Sequence, residues 1–496
     1  MPSAIVIGAG FGGIALAIRL QSAGTQTTLL EKRDKPGGRA YVFEQDGYTF
    51  DAGPTVLTDP RSLEALWELS GRKLADCVEL LPISPFYKLL WNDGVEFDYV
   101  NDQAELERQI EALKPRDVKG YRKFLAYSQA AYKEGYLKLG HVAFLDAASM
   151  VRAAPKLAQM QAWRSVYSIV SKYVKEPHLR QALSFHSLLV GGSPFESPSI
   201  YTLIHALERE GGVWFAKGGT GALVKSMIQL FEDLGGVMRI NAEVEEILTV
   251  GDRVTGVRLR TGEAIAADAV ASNGDVMHTY DTLLPRHERG RRMARHLRGR
   301  RFSMSLFVLY FGLNRPADDI AHHTIVFGPH YKELIDDIRR AKPLRQDFSL
   351  YLHAPSVTDA SLAPEGCSAY YVLSPVPNLE QEIDWSVEGP KYAQRILDEL
   401  ERRCLPNLNR DLATLRIFTP DDFKTELNAH LGSAFSLEPI LTQSAYFRVH
   451  NRDDVLDNLY FVGAGTHPGA GVPGVIGSAK ATARLMLEDL KMAKAA

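Results

Sequence analysis

The stretch that decides the fold is residues 4–13, AIVIGAGFGG. Its apolar first half predicts a strand, and glycines at positions 8, 10 and 13 in the spacing GxGxxG precede a helix that runs to about Ala23. A second apolar run from Thr27 ends in the acidic residue Glu31. Strand, glycine turn, helix, strand and terminal acid together are typical of a dinucleotide-binding α/β fold.

Each part of this pattern has a physical role. Gly8 permits the tight turn, Gly10 lets the backbone approach a pyrophosphate, and Gly13 permits close packing of the helix on the strand. The amino terminus of the helix offers free N–H groups to phosphates. Glu31 can accept hydrogen bonds from both ribose hydroxyls and disfavours a 2′-phosphate, so FAD or NAD fits better than NADP.

The composition limits the class of protein. A length of 496 residues corresponds to about three domains, and 45% apolar with 24% charged residues is typical of a soluble globular chain. A net charge of −3 gives no indication of nucleic-acid binding. The three cysteines lie far apart and form no CxxC pair, so we expect a reducing compartment and neither disulfides nor a metal site.

The targeting signals are also informative. No apolar run reaches the roughly 18 residues that would span a bilayer. The apolar amino-terminal stretch lacks a basic segment in front of it and is interrupted by glycines and Arg19, which is unlike a signal peptide. We therefore expect a cytoplasmic protein.

Residues 34–39, DKPGGR, distinguish FAD from NAD. They resemble the GG-R element that follows the second strand in the amine-oxidase-like flavoprotein superfamily. The resemblance implies FAD as the cofactor, with the backbone of Gly38 close to the diphosphate and Arg39 neutralising it. It also includes Lys32 among the cofactor-binding residues.

Two further stretches fit this resemblance. Residues 50–55, FDAGPT, correspond to the segment near the flavin ring, which implies contacts from Gly53, Pro54 and Thr55. Residues 217–223, KGGTGAL, resemble the turn that opens a helix before the adenine-side strand. In that strand Val244 is expected to contact adenine, and a buried core valine is the alternative interpretation.

Residues 458–478, NLYFVGAGTHPGAGVPGVIGS, form the most specific stretch of the chain. They resemble the signature of bacterial-type phytoene desaturases, and the resemblance extends over essentially the whole chain. A strand that ends in glycines and leads into a helix directs a second helix amino terminus towards the flavin. The further cofactor contacts that we expect are Gly463, Gly465, Gly474 and Val475.

His467 is the titratable side chain of this stretch and a catalytic candidate. One interpretation is that it tunes the flavin or transfers a proton. The other is that it hydrogen-bonds to the backbone and holds the loop. The sequence leaves both open.

The pattern predicts an α/β protein with a discontinuous Rossmann-like FAD-binding domain, an inserted substrate domain built on a second β-sheet, and a helical lid. The FAD-binding domain is expected to comprise residues 1–66, 217–285 and 440–496. The substrate domain comprises residues 67–118 and 286–439. Residues 119–216 form the helical lid, which is expected to associate with a membrane.

The resemblance implies successive desaturations of 15-cis-phytoene to lycopene. In each one a hydride leaves an allylic carbon for the flavin and a proton leaves the neighbouring carbon. Phytoene and the carotene intermediates have no polar group, so a long apolar tunnel is expected. Segment 137–170 suits its mouth. Within it Arg152 is a second catalytic candidate that steadies charge or polyene, or else faces solvent or lipid phosphate.

Residues 286–301 contain eight arginines. They contact either anionic lipid headgroups or solvent, and the missing spanning helix implies peripheral attachment to the cell membrane. The terminal electron acceptor is oxygen or a quinone, and an oligomer is possible. The alternatives are a neurosporene-forming desaturase, an isomerase or oxygenating relative, or a non-catalytic isoprenoid carrier.

Overall fold

The computed structural model describes residues 1–317 and 319–495. The strands, in chain order, are β1 (Ser3–Ile7), β2 (Gln26–Leu30), β3 (Val42–Gln45), β4 (Tyr48–Asp51), β5 (Leu80–Pro82), β6 (Tyr87–Leu90), β7 (Glu96–Tyr99), β8 (Trp214–Ala216), β9 (Val237–Arg239), β10 (Val244–Val250), β11 (Arg253–Leu259), β12 (Ala264–Ala266), β13 (Ala269–Ser272), β14 (Ser305–Leu313), β15 (His323–Val326), β16 (Leu350–His353), β17 (Ser368–Val376), β18 (Leu412–Phe418) and β19 (Leu459–Phe461).

The α-helices, in chain order, are α1 (Phe11–Ser22), α2 (Pro60–Trp67), α3 (Gln103–Leu113), α4 (Asp117–Ala131), α5 (Ala147–Gln159), α6 (Val166–Tyr173), α7 (Pro177–Ala182), α8 (Leu203–Gly211), α9 (Gly219–Asp233), α10 (Val276–Asp281), α11 (Glu288–Arg298), α12 (Tyr331–Arg339), α13 (Trp385–Arg403), α14 (Leu408–Asp411), α15 (Pro420–Leu427) and α16 (Val472–Ala495). A π-helical turn, Tyr132–Lys138, continues α4. Among the helices described, none combines the length and the apolar character that crossing a bilayer requires.

The first sheet is parallel and has the strand order β19-β13-β1-β2-β9. Its central strand β1 is apolar and buried, as expected for a parallel strand that is covered on both faces. Helices α1, α9 and α16 pack over the sheet through a shared apolar cluster. Because parallel strands end at one edge, the turns after β1 and β19 meet there.

The second sheet has seven strands in the order β18-β14-β17-β16-β15-β6-β7. Strands β14 and β17 pair along nine residues each, which makes them the long centre of the sheet. One face packs against an aromatic-rich cluster that faces the helices, and the other is covered by α13. A prediction from the sequence, the α/β fold with a second sheet, is confirmed.

The strands of each sheet come from separate parts of the chain. Those of the first sheet lie within residues 1–66, 217–285 and 440–496, and those of the second within 67–118 and 286–439. The intervening segment, residues 119–216, is helical up to β8, which pairs with β5. The two sheets and this helical segment enclose one central cavity.

Candidate functional site

The central cavity has a volume of about 580 Å³ and two chemically different ends. The first is lined by backbone and polar groups at the carboxyl edge of the parallel sheet. The second is apolar and includes Phe185, Leu189, Ile204, Leu306, Ile325, Phe327 and Leu373. A site of this size with few polar groups suits an elongated, mostly apolar ligand beside a polar one.

The first glycine turn closes tightly on itself. A β-carbon on Gly13 would lie 2.0 Å from the carbonyl oxygen of Gly8, so no larger residue fits there. Gly10 immediately precedes α1 and faces the cavity. No side chain of these glycines therefore covers the free N–H groups at the start of α1, which face the cavity. Such an arrangement of amides can bind the diphosphate of a dinucleotide.

The second glycine turn approaches the first through Asn273, at the end of β13. Asn273 Nδ2 donates to the carbonyl oxygen of Gly8 at 3.1 Å. Gly463 has φ +98°, and a β-carbon there would lie 2.5 Å from Asn273 Oδ1. Gly465 is equally confined, with Val276 2.4 Å from its β-carbon position. Sequence reasoning missed Asn273, although its place at the end of a parallel strand marks it as a candidate.

Helix α16 begins at the cavity wall. Its first residues, from Val472 to Val475, line the cavity, including Gly474. The exposed amides of a helix amino terminus carry partial positive charge. This end of the helix therefore suits an electron-rich ring.

Glu31 is buried, and its carboxylate accepts hydrogen bonds from two backbone N–H groups. Its Oε2 accepts from the Ala9 N–H at 2.8 Å, and its Oε1 accepts from the Arg33 N–H at 3.0 Å. Each carboxylate oxygen keeps a free lone pair for a hydroxyl in the cavity. The neighbouring Lys32 donates to Thr425 O and Asn428 Oδ1, which ties this end of the site to α15.

Arg39, in the segment after β2, reaches the loop that follows α15. Its Nε donates to Ala434 O at 2.6 Å and its Nη2 to Ser433 O at 3.2 Å. Burial lowers the pKa of the Arg39 guanidinium, and the negative charge of Asp275 opposes that shift. The guanidinium lines the cavity with N–H groups left over for an anion. A β-carbon on Gly53 would lie 2.5 Å from Arg39 O, so residues 39 and 53 are packed backbone to backbone.

The glycine turn before α9 binds a side chain of the protein. Both oxygens of the Asp51 carboxylate accept from the first amides of α9, those of Thr220 and Gly221. Burial raises the pKa of Asp51 to about 6, and these hydrogen bonds oppose the rise. The carboxylate thereby fixes α9 beside Pro54, whose carbonyl oxygen accepts from Thr220 Oγ1. Val244, at the start of β10, is buried and lines the polar end.

Thr55 belongs to a chain of hydroxyl groups in the cavity wall. Its Oγ1 lies 2.9 Å from both the Tyr351 and the Tyr371 hydroxyl groups. All three residues line the cavity. The two tyrosines lie on adjacent strands of the second sheet, so sequence reasoning did not connect them with residue 55.

His467 binds the backbone of the helical segment. Its Nε2 lies 2.9 Å from Leu139 O, and because a carbonyl oxygen only accepts, Nε2 carries the proton. Its ring packs edge-on against Phe144, with centroids 4.8 Å apart. Burial lowers the pKa of His467 to about 4, so the imidazole is neutral near pH 7. This geometry favours the loop-holding interpretation.

Arg152 requires a correction. Its side chain is exposed on α5, where it donates to Ser149 Oγ at 3.0 Å, and it does not line the cavity. A guanidinium keeps its hydration there, whereas an apolar tunnel would strip it. Six other residues of segment 137–170 do line the cavity, namely Leu139, Gly140, Phe144, Met150, Leu157 and Ala162.

One carboxylate stands out near the apolar end. Glu208, on α8, is fully buried and lines the cavity. Tyr87 OH donates to its Oε1 at 2.7 Å, and His186 Nε2 lies 3.1 Å from its Oε2. Nothing in the sequence around residue 208 marks it, since it lies within an ordinary amphipathic helix.

We expect Gly10→Val to reduce FAD binding at least tenfold, or about 1.4 kcal/mol, because its side chain would occupy the space of the diphosphate. The flavin absorbance per mole of purified chain measures this. Gly299→Ala is the control, since a β-carbon there meets nothing closer than 3.5 Å. Undiminished flavin in Gly10→Val would contradict the assigned binding mode.

We expect His467→Gln to make stability less sensitive to acid. The folded pKa of about 4 lies below the unfolded value of about 6.5, so the unfolded chain takes up the proton first as the pH falls. Wild type should lose about 2 kcal/mol through this group between pH 7 and pH 5, and the variant should not. Urea unfolding at both pH values measures the difference, with the exposed His330→Gln as control. Equal losses in wild type and His467→Gln would refute the assignment.

Comparison with known proteins gives the family. A model described as flavin containing amine oxidoreductase matches residues 11–487. Lycopene-forming phytoene desaturases from Pseudescherichia vulneris and Pantoea ananas are each 62% identical over 99% of this chain and 100% of their own length. Putrescine oxidase superposes over 99% of both chains with a TM-score of 0.66 at 13% identity, which shows the shared fold. The chain therefore belongs to the flavin containing amine oxidoreductases and, within them, to the phytoene desaturases.

Proposed function

We propose that this FAD oxidoreductase converts 15-cis-phytoene to lycopene by successive desaturations. The observation that carries the proposal is the central cavity, in which a dinucleotide-binding end opens directly into an apolar end. The names of the relatives support the same substrate and product. A polar amine would leave the apolar end unused, so amine oxidation is less well supported.

The polar end is proposed to hold the cofactor through three groups of residues. The first turn and Glu31 bind the adenosine and diphosphate, together with Lys32, Arg39 and the glycines at 8, 10 and 38. Gly13 keeps the turn closed, since its β-carbon position lies 2.0 Å from the carbonyl oxygen of Gly8. Val244 contacts the adenine. The flavin ring lies between two segments, of which one contributes Gly53, Pro54 and Thr55 and the other Gly474 and Val475. Gly463 and Gly465 support the second segment from outside the cavity lining, since they pack against Asn273 and Val276.

Bound FAD supplies the acceptor for a hydride from an allylic carbon of the substrate. The protein contributes alignment of that carbon and exclusion of water. The apolar end binds the hydrocarbon through burial, at about 25 cal/mol per Å² of apolar surface. His467 holds the second glycine turn against the helical segment, so we assign it a positioning role.

Peripheral attachment to the cell membrane is proposed to occur at the cavity mouth. Helix α5 packs against residues 445–447, and both line the cavity. Exposed large apolar side chains occur in these two neighbourhoods, namely Leu137, Val151, Trp163, Leu441 and Phe447. Buried in a lipid surface, they would open the apolar end to a substrate that is dissolved in the bilayer.

The arginine-rich segment 286–301 supports this role less well. Arg289 forms ion pairs with Asp453 and Asp454, and Arg301 with Glu196 and Glu438. Arginines that are paired within the protein have less charge to offer to lipid headgroups. We therefore assign the main membrane contact to the mouth, within a cytoplasmic protein.

The central test is an anaerobic reaction of the purified holoenzyme with phytoene in liposomes. We expect the flavin absorbance to bleach as visible polyene bands appear, and band positions typical of lycopene. Oxygen and a quinone, added separately afterwards, test which acceptor restores the flavin. Neurosporene bands would replace the product assignment, and bound FAD with no bleaching would refute desaturation of phytoene. A chain that cannot be loaded with FAD would favour an isoprenoid carrier.

We expect Trp163→Glu to weaken liposome binding about tenfold, or ~1.4 kcal/mol, because a charged side chain would enter the lipid surface. Flotation with vesicles measures the bound fraction. The matched control is Val250→Glu, on the β10–β11 hairpin, where Val250 is also an exposed apolar residue. Equal binding by both variants would exclude the mouth as the membrane contact.

A further inference from the structure

Three histidines meet behind the cavity wall. His323 begins β15 and lies directly opposite His353, at the end of β16, in the antiparallel register. His322 precedes His323, and the three ring centroids lie 4.5 to 5.3 Å apart. Their exposed fractions are 5%, 0% and 1% for His322, His323 and His353, so the cluster is dry.

Most of the ring nitrogens in this cluster have no hydrogen-bond partner. The unpartnered atoms are Nε2 of His322, Nε2 of His323 and both nitrogens of His353. A neutral imidazole always presents one donor and one acceptor, so burying four such atoms unpaired is costly. The side chains packed around the rings include Phe215, which has no hydrogen-bonding group, and Tyr371, whose hydroxyl group lies 2.9 Å from Thr55 Oγ1.

The two nitrogens that do have partners define the orientation of the others. His322 Nδ1 lies 2.7 Å from Thr358 Oγ1, and His323 Nδ1 lies 2.7 Å from the Tyr351 hydroxyl. Metal-bound histidines characteristically donate their second ring N–H to such an oxygen, which leaves the other nitrogen free for the ion. One ligand atom from each histidine lies within 4.8 Å of the others.

We propose that His322, His323 and His353 bind a transition-metal ion of the Zn²⁺ class. His322 and His323 bind through Nε2, and His353 completes the set with one ring nitrogen. Three imidazoles suit zinc, cobalt, nickel or copper better than calcium or magnesium. A tetrahedral ion keeps its fourth position for a water or hydroxide.

The imidazoles alone would hold the ion. The group of potential metal-ligating side chains that meets here consists of His322, His323 and His353. The proposal does not depend on the substrate, because it concerns the second sheet and not the reacting atoms.

The test uses tag-free, full-length, FAD-loaded protein that has been stripped with a chelator and then given Zn²⁺ or Co²⁺. We expect about one ion per chain by elemental analysis, a rise in Tm with Zn²⁺, and visible Co²⁺ bands in the difference spectrum. His353→Gln should lose all three signals. His330→Gln, an exposed histidine near an acidic residue, should keep them.

Absence of bound metal and of Co²⁺ bands in the wild type would overturn the proposal, and so would equal binding by wild type and His353→Gln. If His353→Gln fails to retain FAD and native circular dichroism, His322→Gln replaces it, because His322 lies before β15 and outside the strand pairing. The Co²⁺ titration of the wild type decides the question in either case.

Discussion

The site depends on the approach of three backbone segments at one edge of the parallel sheet. The ends of β1, β13 and β19 converge there, and Asn273 lies between the two glycine turns. A β-carbon on Gly12 would meet Asn273 Oδ1 at 2.8 Å and the Cα of Gly463 at 3.2 Å. Asn273 and Gly463, which are 190 residues apart in the chain, are thus in contact. This close approach requires glycine at positions 12 and 463, because a β-carbon at either one would collide with Asn273.

The rest of the cavity follows from how the second sheet meets this edge. Arg39 reaches across to the carbonyl oxygens of Ser433 and Ala434, and Lys32 reaches across to α15. These hydrogen bonds join the segment after β2 to α15 and to the loop that follows α15. The apolar faces of the second sheet and of the helical segment then enclose the apolar end of the cavity. A hydrocarbon bound there would replace water.

Local patterns predicted the parts of the site that are continuous in sequence. Gly8, Gly10, Glu31, the GG-R element, Gly474 and Val475 line the cavity, whereas Gly13, Gly463 and Gly465 pack against neighbouring segments outside its lining. Residues that depend on long-range pairing were beyond the sequence. Tyr351 and Tyr371 meet Thr55 only through the register of β16 and β17, and His323 meets His353 only through the register of β15 and β16. Arg152 shows the reverse error, since an apolar neighbourhood in sequence did not bury it.

The direction of the hydrogen bonds among Tyr351, Thr55 and Tyr371 depends on the tautomer of His323. If His323 Nδ1 donates to the Tyr351 oxygen, the Tyr351 proton turns away from the histidine, towards Thr55 Oγ1 at 2.9 Å. The Thr55 proton then turns to the Tyr371 oxygen, and the Tyr371 proton is left for the cavity. The opposite tautomer lets the Tyr351 proton turn away, towards the imidazole. The tautomer of the buried His323 ring thereby determines whether the Tyr371 hydroxyl group donates or accepts a hydrogen bond in the cavity. Only hydrogen atoms change position between the two arrangements.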